Sequence, residues 1–179
     1  DPPTAKTTVV GINGRRMVYA TLEAKQAQVS VNGTQANLLT YNGSFPGPTI
    51  EAKGGDILHI DFINSLPMNG GTNILGHPRY TTNLHPHGLH VSPSGKSDNV
   101  MRMFEPGTFD YYEYDLAKHP AGTLNFYHPH VHGSVAEQYW GGMVGALVVE
   151  DPTTLLSGYE THTLILKDIT LSGGAPEQY

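Results

Sequence analysis

The sequence predicts an all-β protein built from two packed sheets with Greek-key connections. Short segments rich in β-branched, aromatic and alternating apolar residues follow one another along the chain, separated by turn sequences. Glycine and proline, 21 and 13 of the 179 residues, favour frequent turns and disfavour long helices. With 38% hydrophobic residues, a chain of this length can bury one domain core, or one core and part of a second domain.

Six segments have the composition of strands: 16–30, 36–41, 55–64, 108–116, 122–128 and 143–150. In the third of them Leu58, Ile60 and Phe62 alternate with polar residues, which is typical of a strand buried on one face. The sixth segment is continuously apolar, which indicates a strand covered on both faces. A rigid loop rich in glycine and proline is expected at residues 42–48.

One short helix is predicted, with a second helical turn after it. Ser134 and Glu137 have the spacing of a capping box, and Gly141 follows as a stop. The second helical turn is expected at Asp151 and Pro152, with aspartate as the cap and proline in the first turn. No internal repeat or low-complexity segment occurs in the sequence.

The last part of the chain carries one more predicted strand, over residues 161–171. Two interpretations stay open from the residues alone. The segment is either the last strand of the sandwich or the first strand of a following domain that is absent here.

Composition excludes several function classes. The net charge of −6 and the pI near 5.9 argue against nucleic acid as a partner. The absence of cysteine excludes disulfides and thiolate ligands, and no segment has transmembrane length. No nucleophile elbow or phosphate-binding glycine loop occurs. A glycosidase-like carboxylate pair stays open, because the sequence does not show carboxylate separations, but no pair is singled out.

Histidine is concentrated in two clusters, at residues 84–88 (LHPHG) and 127–133 (YHPHVHG). Chance would give about half an H-x-H pair in a chain of this composition, and three occur. Histidines two apart on an extended backbone project from the same face, and imidazole binds copper, zinc, iron or nickel. Because proline breaks a central ladder, both H-P-H units are expected at strand ends or edges, where ligands are displayed. The predicted metal ligands are His85, His87, His128 and His130.

The sequence gives less support to the other histidines as metal ligands. His132 is ambiguous, since it shares a face with the second pair only if the strand continues past Pro129. His59 is expected to face solvent from a strand, and His119 to belong to a turn. Three more are expected at the surface or behind the ligands: His77, His90 and His162.

Several motifs in combination resemble the multicopper oxidase family, and its bacterial laccase-like branch in particular. Residues 41–50 (YNGSFPGPTI), followed by Gly55 and Asp56, are similar to the opening of these enzymes. Residues 82–88 (TNLHPHG) resemble their first copper motif, H-x-H-G. The second motif, H-x-H, is matched by residues 119–130, and residues 141–145 (GGMVG) match the stretch that comes after this motif in these enzymes. The resemblance runs from about residue 41 to residue 150.

This resemblance implies a cupredoxin-like Greek-key sandwich over residues 1–150, the amino-terminal domain of such an enzyme. It also implies that residues 151–179 are a linker and the first strand of a missing second domain. By position, His85 would bind the type 2 copper of a trinuclear cluster, and His87, His128 and His130 the type 3 pair. Asp98 falls where the family often has a carboxylate that orients water or relays protons; a loop cap or Asx turn is the alternative.

The family's later motifs, H-x-x-H-x-H and H-C-H, do not occur, and without cysteine the chain has no type 1 copper. The first hypothesis is therefore that the chain is a piece of an oxidase whose other cupredoxin domains complete the site. That enzyme would oxidise a phenol or a metal ion and reduce dioxygen to water, and the chain alone should not turn over. A stand-alone copper- or zinc-binding module and a vestigial site are the alternatives. The chain begins without a methionine and without the apolar run of a signal peptide, so a leader is expected to have been removed or cloned away. An exported location is expected rather than a cytoplasmic one.

Overall fold

A computed structural model of the chain describes residues 2–156 and 158–177, and its strands form two main sheets and a short hairpin. The elements are, in order, β1 (Thr7–Ile12), β2 (Arg15–Val31), β3 (Thr34–Tyr41), β4 (Gly47–Lys53), β5 (Ile57–Asn64), β6 (His85–His87), β7 (Phe109–Asp115), a 3-10 turn (Leu116–Lys118), β8 (Thr123–His128), α1 (Val135–Trp140), β9 (Gly145–Glu150), β10 (Leu171–Ser172) and β11 (Ala175–Pro176). The predicted all-β class is confirmed.

The first sheet is organised around the long strand β2. Its strand order is β1-β2-β5-β7, and β3 also pairs with β2. The pairing of β2 with β5 is parallel, whereas the other pairings in this sheet are antiparallel. The first sheet is therefore mixed, and a parallel pair requires a crossover connection.

The second sheet carries the first histidine motif at its edge. Its strand order is β4-β9-β8-β6, with β4 and β9 parallel and the other pairs antiparallel. The edge strand β6 contains Pro86 between two histidines, and β8 ends at His128. The expectation that H-P-H units lie at strand ends or edges is thus confirmed, because an edge strand has no second neighbour that needs the missing N–H of proline.

The core contains buried residues from both sheets. Leu58, Ile60 and Phe62 of β5 are almost completely buried, as the alternating pattern predicts, and Phe62 contacts Phe104 edge-on. In β9 every residue but the last is buried or half-buried, which confirms the prediction for this apolar segment. The six predicted strands are all present with boundaries shifted by one or two residues.

Four of the described strands were not predicted as strands: the longer β1 and β4, and the short β6 and β11. All residues of β1 are exposed, including Val9 and Val10, so no alternation between a buried and an exposed face marks it. In β4, Pro48 lies in a register shift between Gly47 and Ile50, and proline within a segment argues against a strand. The loop expected at residues 42–48 is present only over 42–46, because its last two residues, Gly47 and Pro48, already belong to this strand.

The predicted capping box does not form. The Ser134 hydroxyl accepts no hydrogen bond from the helix backbone and donates instead to the Pro78 carbonyl (2.7 Å), and Glu137 pairs with Arg79 (3.0 Å). Both side chains thus bond to residues distant in sequence instead of to the backbone at the start of the helix. The predicted helical turn at Asp151 is also wrong, because this carboxylate accepts hydrogen bonds from the backbone and hydroxyl of Thr153 in a non-helical turn. Among the described residues, no helix combines the length and the apolar character that crossing a bilayer requires.

The strand predicted over residues 161–171 is wrong for most of its length. Residues 161–170 have no ladder partner in the described part of the chain, and pairing begins only at β10, which forms a two-residue hairpin with β11. Leu164 and Leu166 are 72% and 96% exposed, so one apolar face of this segment is uncovered. A strand needs a neighbour for its backbone groups, and composition alone does not supply one. The division into residues 1–150 and 151–179 stays a prediction.

Candidate metal centre

The register between β6 and β8 brings the two histidine motifs together. His85 lies directly opposite His128 in this antiparallel pair, and His87 lies opposite Phe126. The ring centroid of His85 is 5.2 Å from that of His128 and 5.5 Å from that of His87. The His87 and His128 rings are 5.6 Å apart. Three imidazoles from two strands therefore surround one small volume.

The donor atoms of these three rings have the spacing of a metal site. One ligand atom from each of His85, His87 and His128 lies within 4.8 Å of the other two. His87 Nδ1 and His128 Nε2 are 3.3 Å apart. Two imidazole nitrogens bound to one tetrahedral ion at 2.0–2.1 Å are separated by about 3.4 Å. The observed separation matches the spacing of two nitrogens that bind one ion.

The fourth predicted ligand, His130, lies beyond the end of β8 and outside this group of three. Its ring centroid is 5.0 Å from that of His85, with the two planes nearly perpendicular. The Nδ1 atom of His130 is buried and has no hydrogen-bond partner. A buried nitrogen without a partner is costly, and a bound metal or water would satisfy it. His132 is exposed, with its ring 5.6 Å from that of His130.

Hydrogen bonds orient two of the rings. His85 Nδ1 donates to Asp98 Oδ1 at 2.8 Å, and His128 Nδ1 donates to the Pro129 carbonyl at 2.8 Å. Each bond assigns the proton to Nδ1, so Nε2 carries the free lone pair. Asp98 thus contacts a predicted ligand directly, and its carboxylate fixes the orientation and tautomer of that ring.

The local electrostatics favours a neutral His128 ring. Burial first, and then the positive charge that His85, His87 and His130 would carry, lower the pKa of His128 to about 4, although the hydrogen bond to the Pro129 carbonyl acts in the opposite direction. At neutral pH this imidazole therefore carries no proton on the nitrogen that a metal would use. A nitrogen-only donor set without thiolate suits copper, zinc, iron or nickel. The residues present thus fit the copper that the sequence resemblance implies.

Buried polar side chains behind the motifs were missed by sequence reasoning. Gln138, fully buried in α1, accepts from the Thr82 hydroxyl (2.8 Å) and donates to the Thr81 carbonyl (2.8 Å). The Tyr112 hydroxyl accepts from the backbone N–H of Leu84 at 3.2 Å. These bonds fix the segment that leads into His85. No spacing in the sequence marks these residues, because their partners are distant along the chain.

His119, expected in a turn, is a buried link between two segments. It follows the 3-10 turn, and its Nδ1 accepts from the backbone N–H of His90 at 3.1 Å. Its Nε2 therefore carries the proton and donates to the Thr123 hydroxyl at 2.8 Å. Burial, and then positive charge on His90, lower the pKa of His119. His119 thus joins the loop after the first motif to the start of β8.

His59, expected to face solvent, is mostly covered by neighbouring aromatic rings. It does lie on the outer face of β5, but its ring sits between Tyr19 and Tyr111, and its side chain is only 16% exposed. Its Nε2 lies 3.2 Å from Asp61 Oδ1. The remaining histidines are exposed and lie outside the group of three: His77, His90 and His162.

Comparisons with known proteins agree on one family. The family model for multicopper oxidases matches residues 23–154. A multicopper oxidase of Staphylococcus aureus is 33% identical over 133 residues, which cover 73% of this chain and 26% of that protein. Laccase-1 of Emericella nidulans is 30% identical over 159 residues, covering 86% of this chain and 23% of that protein.

Solved structures give the same result for the fold. A multicopper oxidase from Campylobacter jejuni, described as a metallo-oxidase, superposes with a TM-score of 0.67 at 28% identity. The match covers 88% of this chain and 30% of that chain. This likeness confirms the predicted cupredoxin-like sandwich. The chain spans about a quarter of the length of the curated relatives that it matches.

Proposed function

The chain belongs to the multicopper oxidase family, and on that basis we propose that it supplies four histidine ligands to a trinuclear copper cluster in a larger oxidase. In this proposal His85 binds the type 2 copper, and His87, His128 and His130 bind the type 3 pair. The observation that supports it most is the register of β6 against β8, which sets donor atoms of three of these rings within 4.8 Å of one another.

Each residue has a distinct task in this proposal. His85 and His128 use Nε2 as the ligand atom, because Nδ1 of each is engaged in a hydrogen bond. Asp98 holds the His85 ring and provides a carboxylate that can accept or return a proton close to the site. Bound copper supplies the redox chemistry for the reduction of dioxygen to water.

We propose further that the remaining cupredoxin domains of the parent enzyme are the partners of this chain. Supporting this, the chain corresponds to 23% and 26% of two relatives and contains no cysteine for a blue-copper centre. The reducing substrate, a phenol or a metal ion, would then be oxidised at a domain outside this chain. The isolated chain is expected to have negligible oxidase activity.

Copper content tests the ligand assignment. The double change His85→Ala, His128→Ala should abolish most copper binding by the chain, whereas the exposed His162→Ala should leave it unchanged. Metal analysis after equilibrium dialysis against Cu²⁺ gives the comparison. Equal copper content in the double variant and the unmodified chain would contradict the assignment.

Oxygen consumption tests the larger proposal. The isolated chain with copper should consume no dioxygen in the presence of a phenol, and activity should appear when the rest of the parent enzyme is supplied. A well-folded, copper-loaded mixture that gains no activity would favour a stand-alone metal-binding module instead.

A further inference from the structure

We infer that Asn83 is a positioning residue, whose carboxamide holds both histidine motifs and the segment bearing Asp98 in one arrangement. The inference rests on the proposed function, since it assigns a role toward the same ligands. Asn83 lies two residues before His85, and its side chain is completely buried.

The three hydrogen bonds of the Asn83 carboxamide are all made to the backbone. Its Nδ2 donates to the carbonyls of Val100 (2.8 Å) and Arg102 (3.1 Å). Its Oδ1 accepts from the backbone N–H of His130 at 2.6 Å. Both donor hydrogens and one acceptor position of the carboxamide are therefore used.

These three bonds join segments that are distant in sequence. Val100 lies two residues after Asp98, whose carboxylate accepts from His85 Nδ1. His130 lies 47 positions after Asn83. One side chain thus fixes the backbone of a ligand in the second motif and the loop that orients a ligand in the first motif. Because a rigid support determines where ligand atoms point, Asn83 sets the relative positions of His85 and His130.

The chemistry of the position is specific to a short carboxamide. Aspartate would place a second oxygen against the carbonyls of Val100 and Arg102, in a region closed to water. Leucine would leave these carbonyls and the His130 N–H without partners. Glutamine carries one more methylene group than the packed interior is built to hold.

Asn64 provides a matched control within the same fold. It is also fully buried, and its Nδ2 donates to the carbonyls of Tyr80 (2.9 Å) and Phe104 (2.7 Å). Its Oδ1 accepts from the backbone N–H of Leu66 at 3.0 Å. Asn64 makes the same number and kind of bonds as Asn83, but none of them reaches a histidine.

The test compares Asn83→Asp with Asn64→Asp in the 179-residue chain. Both variants should lose similar stability in urea unfolding, since each loses two donors to buried carbonyls. The Kd for Cu²⁺, measured by isothermal titration, should rise about 10-fold to 100-fold for Asn83→Asp. It should change less than about twofold for Asn64→Asp. The electron paramagnetic resonance spectrum of the Cu²⁺ complex should change for Asn83→Asp alone.

An unchanged Kd and spectrum for Asn83→Asp, with copper binding by the unmodified chain intact, would overturn the inference. Failure of the unmodified chain to bind copper would instead contradict the proposed function. If Asn83→Asp does not fold, Asn83→Ser takes its place and should weaken Cu²⁺ binding in the same direction. Amide hydrogen exchange in the unmodified chain adds a test without mutation: the His130 N–H should be protected, and exchange at the rate of an open loop would refute its bond to Asn83.

Discussion

Removal of the Tyr127 hydroxyl should destabilise the protein measurably. Tyr127 is completely buried in β8, next to His128, and its hydroxyl donates to the Pro48 carbonyl at 2.6 Å. Pro48 lies where the pairing of β4 with β9 shifts register. Gly47 and Gly145 leave the space that the Tyr127 ring and hydroxyl occupy, because a Cβ at either position would collide with them. The hydrogen bond from this hydroxyl therefore connects the end of β8 to the start of β4.

The structure sets the size of the effect. Tyr127→Phe removes one buried donor and leaves the Pro48 carbonyl without it, which costs about 1–3 kcal/mol. A central value of about 2 kcal/mol corresponds to a fall in Tm of about 4–8 °C for a chain of this size. Ring volume is unchanged apart from one oxygen, so the cavity contribution is small.

Tyr41→Phe is the matched control. Tyr41 is also completely buried, its ring centroid is 5.1 Å from that of Tyr127, and its hydroxyl has no hydrogen-bond partner. Burial of an unpaired hydroxyl is unfavourable, so its removal should be neutral or stabilising by up to about 1 kcal/mol. The free energy of unfolding should therefore fall for Tyr127→Phe and stay the same or rise for Tyr41→Phe, although both substitutions remove one hydroxyl.

Urea unfolding followed by tyrosine and tryptophan fluorescence gives the free energy of unfolding of each variant. The slope m should stay constant, so that a change in midpoint reports stability. A destabilisation by Tyr127→Phe no larger than that by Tyr41→Phe would refute the structural role of the hydrogen bond to Pro48.

Two further predictions concern the site and its support. Asp98→Asn should weaken Cu²⁺ binding about 10-fold to 100-fold in a direct titration, because the negative charge beside His85 Nδ1 is lost and an amide, which can donate as well as accept, no longer fixes the tautomer of the ring. Asp61→Asn, which alters the equivalent contact to His59, should not weaken Cu²⁺ binding, and equal effects would contradict the role of Asp98. The pKa of His119 is lowered in the folded state, mainly by burial, so the unfolded chain takes up this proton first as the pH falls. The free energy of unfolding should therefore decrease as the pH falls below about 6.5. His119→Gln should make this decrease smaller between pH 7 and 5, whereas the control His162→Gln should leave it unchanged. Equal pH dependence of the free energy of unfolding in the two variants would contradict the role of His119.

Periodicity explains which parts of the fold were predictable. The alternation of Leu58, Ile60 and Phe62 follows from burial of one face, and the structure shows these residues in the core. β1 was missed because it is exposed on both faces, and the segment at 161–170 was wrongly assigned because its composition is that of a strand without a partner. Local patterns report burial and propensity, not the presence of a neighbouring strand.

The same distinction applies to the site. Spacing and residue type suffice to select the two H-P-H units, because period-two geometry puts both rings of a pair on one face. The capping box at Ser134 failed, since Pro78 and Arg79 compete for its two side chains. No periodicity or spacing marks the bonds of Asn83 to His130, of Gln138 to Thr81 and of His119 to His90, since these partners lie 47, 57 and 29 positions apart along the chain.

By itself, the sequence determined the all-β class, the nitrogen-only donor set and the absence of a thiolate, because these follow from composition and short-range periodicity. Only the tertiary structure decided that His85 faces His128, that Asp98 orients His85 and that Asn83 ties the second motif to the first. Strand register and buried hydrogen bonds join residues tens of positions apart. Such contacts are fixed by the packing of the whole core, which no local stretch of sequence encodes.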